Sequence, residues 1–151
     1  MPKYNWSKLN RQQVGSYSEY FVKMEFTMYG CQVYTTEVDD RGIDFVTRYE
    51  TGPFMEIQVK SIREKGYVFM EKEKFKLKEN LYLALVILNE GKLPDLFLIP
   101  AMEWHKPNQL LAGKDYEGLK SKPEWGVNLS MKNMPMLEMY RFEEMVSRLF
   151  L

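Results

Sequence analysis

Two short segments of the chain carry side chains that together could hydrolyse a phosphodiester bond. Residues 42–46 read Gly-Ile-Asp-Phe-Val, with Asp44 at the centre, and residues 56–61 read Glu-Ile-Gln-Val-Lys-Ser, with Gln58 and Lys60 two positions apart. If the segments form a hairpin centred on Thr51, Asp44 faces Gln58, and directly opposed side chains have Cβ atoms roughly 4.5–5.5 Å apart. Lys60 then points to the same face as Gln58. The spacing predicts that a carboxylate, an amide oxygen and an ammonium group converge on one patch.

These three groups suit hydrolysis assisted by a divalent metal ion. Mg²⁺ prefers oxygen ligands, so Asp44 would supply an anionic ligand and Gln58 a neutral one, and Mn²⁺ could substitute. The metal would polarise the phosphate and acidify a bound water. Lys60 would position or activate that water and neutralise the charge that develops on the phosphorane.

Hydrophobic periodicity predicts the elements that position these residues. Residues 11–29 are apolar at alternating three- and four-residue spacing, which predicts a helix with one face turned to a core, formed by Val14, Tyr17, Phe21, Met24 and Met28. Strands are predicted at residues 31–36, 43–49, 54–62, 66–77, 81–88, 96–99 and 126–130, with a polar turn at 39–42. Short helices and loops are expected at 101–122, and a closing helix at 135–150. This order predicts one mixed sheet with helices packed against it.

Placed on these elements, the residues resemble a known nuclease pattern. The pattern is a helix with Gly and Glu, an Asp early in one strand, and an acidic-or-Gln, any residue, Lys triplet in the next. Here these are Gly15 and Glu19, Asp44, and Gln58-Val59-Lys60. The first half of the chain thereby resembles the PD-(D/E)XK nuclease superfamily. The resemblance implies an α/β, restriction-endonuclease-like fold with a central mixed β-sheet flanked by helices, Mg²⁺ dependence, DNA as substrate, and Glu19 as a ligand of the metal or of a metal-bound water.

The sequence departs from the family pattern at two positions. Gln58 stands where the family more often has Asp or Glu, which should lower metal affinity unless Glu56 or Glu19 compensates. Ile43 stands where a proline often precedes the first Asp. Three functions therefore stay open: a metal-dependent DNA endonuclease that could be structure-selective, a catalytically impaired relative that binds nucleic acid or a protein partner in defence or repair, and a protein-interaction module with no nucleic-acid role.

Composition sets the broad class of the protein. With 151 residues, 45% of them hydrophobic, the chain has the size and apolar content of one domain, taken as residues 1–151. Its net charge of zero argues against DNA binding through bulk electrostatics alone, although carboxylates elsewhere can offset a basic face. The longest apolar run, residues 81–88, is too short to span a membrane. The N-terminus has no apolar signal region, and the single cysteine, Cys31, suits a reducing compartment, so a cytoplasmic location is expected.

Basic residues predict where DNA would lie. Ser61, Arg63 and Lys65 follow the triplet directly and are the predicted nucleic-acid contacts. The lysines at positions 72, 74, 76 and 78 would form a phosphate-contacting stripe on a strand, or else protect an edge strand or lie in a solvated loop. Cutting both strands of a duplex needs two sites, so a homodimer is expected. An adaptable interface for it could be lined by Met131, Met134, Met136 and Met139.

Overall fold

A computed structural model of the protein describes residues 3–37 and 41–151, so the predicted turn at 39–42 lies partly outside the described residues. The helices are α1 (Arg11–Met28), α2 (Met134–Leu137) and α3 (Phe142–Phe150). The strands are β1 (Cys31–Thr35), β2 (Phe45–Tyr49), β3 (Met55–Arg63), β4 (Gly66–Glu71), β5 (Leu81–Leu88), β6 (Asp95–Pro100), β7 (Leu111–Lys114) and β8 (Glu124–Leu129). Within the described ranges, none of the helices has the length and apolar character needed to cross a membrane.

The central sheet is mixed, as the sequence predicts. It has five strands in the order β1-β2-β3-β5-β6. β3 runs parallel to β5, and the other neighbours are antiparallel. All eight residues of β5 are buried, which explains why that segment is apolar at every position. α1 packs against β1 and β3, and α3 against β6. β3, which carries Gln58 and Lys60, is therefore an internal strand held on both sides.

A second sheet corrects the prediction of one sheet. β4, β8 and β7 form a separate three-stranded antiparallel sheet. The strand predicted at 66–77 ends at Glu71, because the chain turns there: the Lys74 N–H donates to the Glu71 carbonyl at 2.9 Å and Phe75 becomes fully buried. β7 lies in the region where only short helices and loops were expected. Its strand character comes from antiparallel pairing with β8, the next strand along the chain.

The buried face of α1 differs from the predicted stripe. Its buried residues are Val14, Ser18, Val22 and Phe26. Phe26 packs edge-on against Phe45 and Phe142, with ring centroids 5.9 and 5.0 Å away. Met24 and Met28, predicted to face the core, are 55% and 79% exposed. Both stripes have helical spacing and start at Val14, so tertiary contact decided between them.

The predicted closing helix is interrupted. α2 and a 3-10 turn at Glu138–Tyr140 precede a break at Arg141, after which α3 begins. Arg141 has extended backbone angles and forms a β-bridge with Phe97 of β6. Its guanidinium pairs with Asp95 at 3.2 Å and with Glu138 at 2.7 Å. These contacts across the edge of the sheet hold Arg141 out of the helix that its local sequence favours.

Candidate active site

The predicted hairpin register is confirmed. Phe45 pairs with Ile57, Val46 with Glu56 and Thr47 with Met55, so every pair is equidistant from residue 51. Asp44 lies one residue beyond the paired segment, on the side of Gln58. Its N–H donates to the Ile57 carbonyl at 2.9 Å, and its Oδ2 accepts the Val59 N–H at 2.6 Å. The backbone of β3 thus fixes the orientation of the Asp44 carboxylate.

Gln58 is a buried polar residue with an unsatisfied oxygen. Its side chain is only 6% exposed, and its Oε1 atom has no hydrogen-bond partner. Leaving a buried acceptor unpaired costs about 1–3 kcal/mol, so such atoms in native proteins call for an explanation. The other side-chain atom, Nε2, points toward Gly42: a Cβ added at Gly42 would lie 3.7 Å from it. A cation bound by Oε1 would supply the missing partner.

Gln58 and Lys60 line a cleft of about 740 Å³ between β3 and β4. Its charged lining side chains are four cations and one carboxylate, a balance that favours anionic ligands such as phosphate. The cleft would accommodate one divalent ion together with a phosphate group. The cleft is lined by Arg11, Val14, Gln58, Lys60, Ser61, Ile62, Arg63, Tyr67, Val68, Phe69, Met70, Glu71 and Lys74.

The predicted DNA contacts divide between the cleft and its rim. Ser61 and Arg63 line the cleft. The Arg63 guanidinium also donates to the Trp6 carbonyl at 3.1 Å, which holds it beside the N-terminal turn. Lys65 is exposed in the turn between β3 and β4 and is not among the described residues that line the cleft. Two of the three predicted contacts therefore share the cleft with Gln58 and Lys60.

Glu19 is not brought into the cleft lining. Its carboxylate pairs with Lys23 one turn later on α1, at 3.1 Å. Lys23 in turn lies 5.8 Å from the centroid of the Phe45 ring, so the pair lies near the start of β2. The neighbouring face of α1 is open, since a Cβ at Gly15 would meet nothing within 4 Å. The face of α1 that bears Gly15 is therefore not closely packed.

The other carboxylates are placed unequally. Glu56, which could compensate for the missing charge at Gln58, forms an ion pair with Lys78. Glu71 of β4 lines the cleft, and its Oε2 has no hydrogen-bond partner, with Lys122 3.9 Å away. Across residues 3–37 and 41–151, no group of three or more His, Cys, Asp or Glu side chains is arranged to hold a metal ion. Any metal here would depend on the amide oxygen of Gln58 as well as on carboxylates.

The four alternating lysines lie in a turn and loop after β4, so the stripe on a strand is ruled out. Lys72 pairs with Asp115 at 2.7 Å and lies 3.9 Å from the centroid of the Trp125 ring. Lys74 lines the main cleft and also a second groove of about 440 Å³. Gly42 (φ +80°) makes this junction possible, because an added Cβ would lie 2.9 Å from the Lys74 carbonyl oxygen. The second groove is lined by Arg41, Ile43, Glu56, Glu73, Lys74, Lys76, Lys78 and Leu81.

The β4 wall of the cleft was not anticipated from the sequence. It presents Tyr67 and Phe69, whose rings are nearly parallel with centroids 6.3 Å apart. The Tyr67 hydroxyl donates to the buried Glu124 carboxylate at 2.6 Å. Burial and this hydrogen bond raise the pKa of Tyr67, so it remains a donor at neutral pH. The alternation of Tyr67, Phe69 and Glu71 was the available signal, but it is equally typical of an ordinary strand.

Comparison with known proteins bears on the fold. No protein-family model matches the sequence, and no curated protein matches it. The 1.6 Å structure of Hjc, a Holliday junction resolvase from the archaeal hyperthermophile Archaeoglobus fulgidus, matches with a TM-score of 0.58 and 14% sequence identity. The match covers 91% of this chain and 98% of that chain. The likeness shows that the chain has the restriction-endonuclease-like α/β fold that its sequence predicted.

Proposed function

We propose that the protein is a metal-dependent endonuclease that hydrolyses DNA phosphodiester bonds and selects its substrate by structure. The observation that carries the proposal is the Oε1 atom of Gln58, which is buried, unpartnered and located in a basic cleft beside Lys60. A buried oxygen without a donor suits a cation, and a cluster of ammonium and guanidinium groups suits phosphate. Their coincidence in one cleft favours phosphodiester chemistry over a generic binding surface.

The donor set fits a hard divalent cation. Asp44 would supply a carboxylate oxygen and Gln58 its Oε1 atom, both of the type that Mg²⁺ prefers, with Mn²⁺ as a substitute. Glu19 would add a third oxygen ligand, directly or through water, once its carboxylate exchanges Lys23 for the ion. When bound, the metal would polarise the phosphate and lower the pKa of a coordinated water.

The remaining roles belong to the chain's own cations. Lys60, half-buried on the same strand as Gln58, would orient the attacking water and neutralise charge on the phosphate. Ser61 and Arg63 would hold the flanking phosphates inside the cleft, and Lys65 one at the rim. Lys74 would extend this line of phosphate contacts into the second groove. These contacts position the strand without reading its sequence.

Substrate and assembly are further parts of the proposal. The similar solved structure is named as a Holliday junction resolvase, which makes branched DNA the first substrate class to test. Cutting two strands requires two sites, so a homodimer is proposed, for which the exposed Met131 and Met139 offer apolar surface. The lone cysteine, Cys31, is buried and forms no disulfide within the chain, and a cytoplasmic location is proposed.

The test is a cleavage assay on supercoiled plasmid, linear single strands and branched duplexes, with Mg²⁺, Mn²⁺ or EDTA. Lys60→Ala should abolish metal-dependent cleavage, because the ammonium that assists the water is lost. Lys92→Ala is the matched control. It removes one positive charge from an exposed turn outside the cleft and the second groove, and it should leave the rate unchanged. Equal cleavage by wild type and Lys60→Ala would refute the assignment.

A binding-only protein of the same fold is the second candidate. It is favoured by Gln58 in place of a carboxylate and by the lack, among the residues the structure describes, of a three-carboxylate cluster. This candidate predicts salt-sensitive DNA binding with no cleavage by wild type in Mg²⁺ or Mn²⁺. A protein-interaction module would show no DNA binding even at low salt.

A further inference from the structure

We propose that the β4 wall of the cleft is a stacking platform for an unpaired DNA base, with Phe69 as the ring that the base contacts. The inference rests on the proposed function, because it names the feature of the substrate that the same cleft selects. It assigns the two walls different tasks. β3 carries the polar groups that face the phosphate, and β4 carries the aromatic pair that receives the base.

The first step concerns which ring is accessible. Phe69 is 50% exposed, whereas Tyr67 is only partly so. The Tyr67 ring lies over Gly126, where an added Cβ would come within 2.0 Å of its hydroxyl oxygen. The Lys114 ammonium lies 4.2 Å from the centroid of the same ring. Tyr67 is therefore enclosed and held in place, and Phe69 beside it is the ring with room for a stacking partner.

The second step concerns what could stack there. In a duplex the faces of each base are covered by neighbouring base pairs, so side-chain rings stack only on bases that are single-stranded, bulged or flipped out. The cleft of about 740 Å³ is of small-molecule size. An intact double helix, whose major groove alone is roughly 12 Å wide, does not fit inside. One unstacked nucleotide does, with its phosphate toward Lys60.

The third step separates this pair from other exposed aromatics. Tyr34 and Phe54 also form an exposed pair, edge to face at 5.8 Å, and Phe54 is 46% exposed. Arg48 lies over the Phe54 ring, 4.6 Å from its centroid. Neither Tyr34 nor Phe54 lines the cleft or the second groove. Exposure alone therefore does not define the platform; its position opposite Gln58 and Lys60 does.

Binding in EDTA tests the platform separately from hydrolysis. The probes are a fluorescein-labelled single-stranded oligothymidylate and a blunt duplex of the same length, with anisotropy measured at one fixed salt concentration. Phe69→Ala should weaken oligothymidylate binding about tenfold and leave duplex binding unchanged. Phe54→Ala should change neither affinity. Phe69→Trp should retain wild-type affinity, and Phe69→Leu, which keeps apolar bulk without a ring, should behave like the alanine variant.

Two results would overturn the inference. One is an unchanged affinity of Phe69→Ala for oligothymidylate, and the other is an equal loss on both probes, which would indicate an electrostatic or folding effect. Because no metal is present, a protein that fails the cleavage assay can still pass this test. Conversely, Lys60→Ala could abolish cleavage while Phe69→Ala leaves oligothymidylate binding unchanged. The proposed nuclease function would then stand, and only the stacking platform would be refuted.

Discussion

The two walls of the cleft differ in how firmly the fold holds them. β3 is internal to the five-stranded sheet and pairs with β5 over eight residues, so Gln58 sits against a fully buried strand. β4 is an edge strand of the smaller sheet, and Tyr67, Phe69 and Glu71 alternate with its buried residues. Chemistry that depends on precise geometry is best placed on the rigid wall. The edge wall can vary in sequence without disturbing the core, which suits a role in selecting the substrate.

The largest expected effect tests the β3 wall. Asp44→Asn keeps an acceptor for the Val59 N–H but removes the charge that would bind a cation. We expect cleavage to fall on the order of 10³-fold with little change in stability. Asp115→Asn, which removes an exposed carboxylate paired with Lys72, is the matched control and should cleave normally. Rapid cleavage by Asp44→Asn would mean that the chemistry lies elsewhere.

Gln58→Glu tests the β3 wall through the pH dependence of the free energy of unfolding. The introduced carboxyl would be buried, and burial raises its pKa above the unfolded value of about 4.3. Without metal, stability should therefore fall as pH rises above that value, by about 3 kcal/mol, and level off once pH exceeds the folded-state pKa. Mg²⁺ should restore the loss. Urea denaturation across pH measures it, and Gln109→Glu, on an exposed loop, should show no such trend.

Gly126→Ala tests the β4 wall. The new methyl would collide with the Tyr67 ring, which would have to leave Glu124, and we expect a loss of about 2 kcal/mol in unfolding free energy. Oligothymidylate affinity should fall with it, because the neighbouring Phe69 ring loses its support. Unchanged stability in thermal unfolding would show that the Tyr67 ring is not held over Gly126 and that the Phe69 ring lacks the proposed support.

The smallest expected effect concerns the helix face that bears Glu19. Gly15→Ala adds a methyl that meets nothing within 4 Å, in the interior of α1. Replacing a helical glycine in this way should stabilise the protein by roughly 0.5–1 kcal/mol. A destabilised variant in the same thermal assay would show that this face is closely packed in solution, like the walls of the cleft.

Local features of the candidate site could be predicted from the sequence alone. The hairpin register between β2 and β3 depends on a short turn and on alternation of side chains, so the pairs around residue 51 could be predicted from spacing. The extent of α1 follows from its periodicity and from the capping box of Asn10 and Gln13, and the burial of β5 from its continuous apolar run. Each of these signals acts within a few residues of its effect.

The remaining features depend on contacts between distant parts of the chain. Tyr67 meets Glu124 and Arg141 meets Phe97 across 57 and 44 positions of the chain, and no local pattern specifies such partners. The first contact joins two strands of the second sheet, and the second lies at the break in the closing helix. The buried stripe of α1 likewise depends on distant partners, since Phe26 packs against Phe45 and Phe142. A side chain's type is written in the sequence, but its neighbours depend on which distant surfaces bury the most apolar area together.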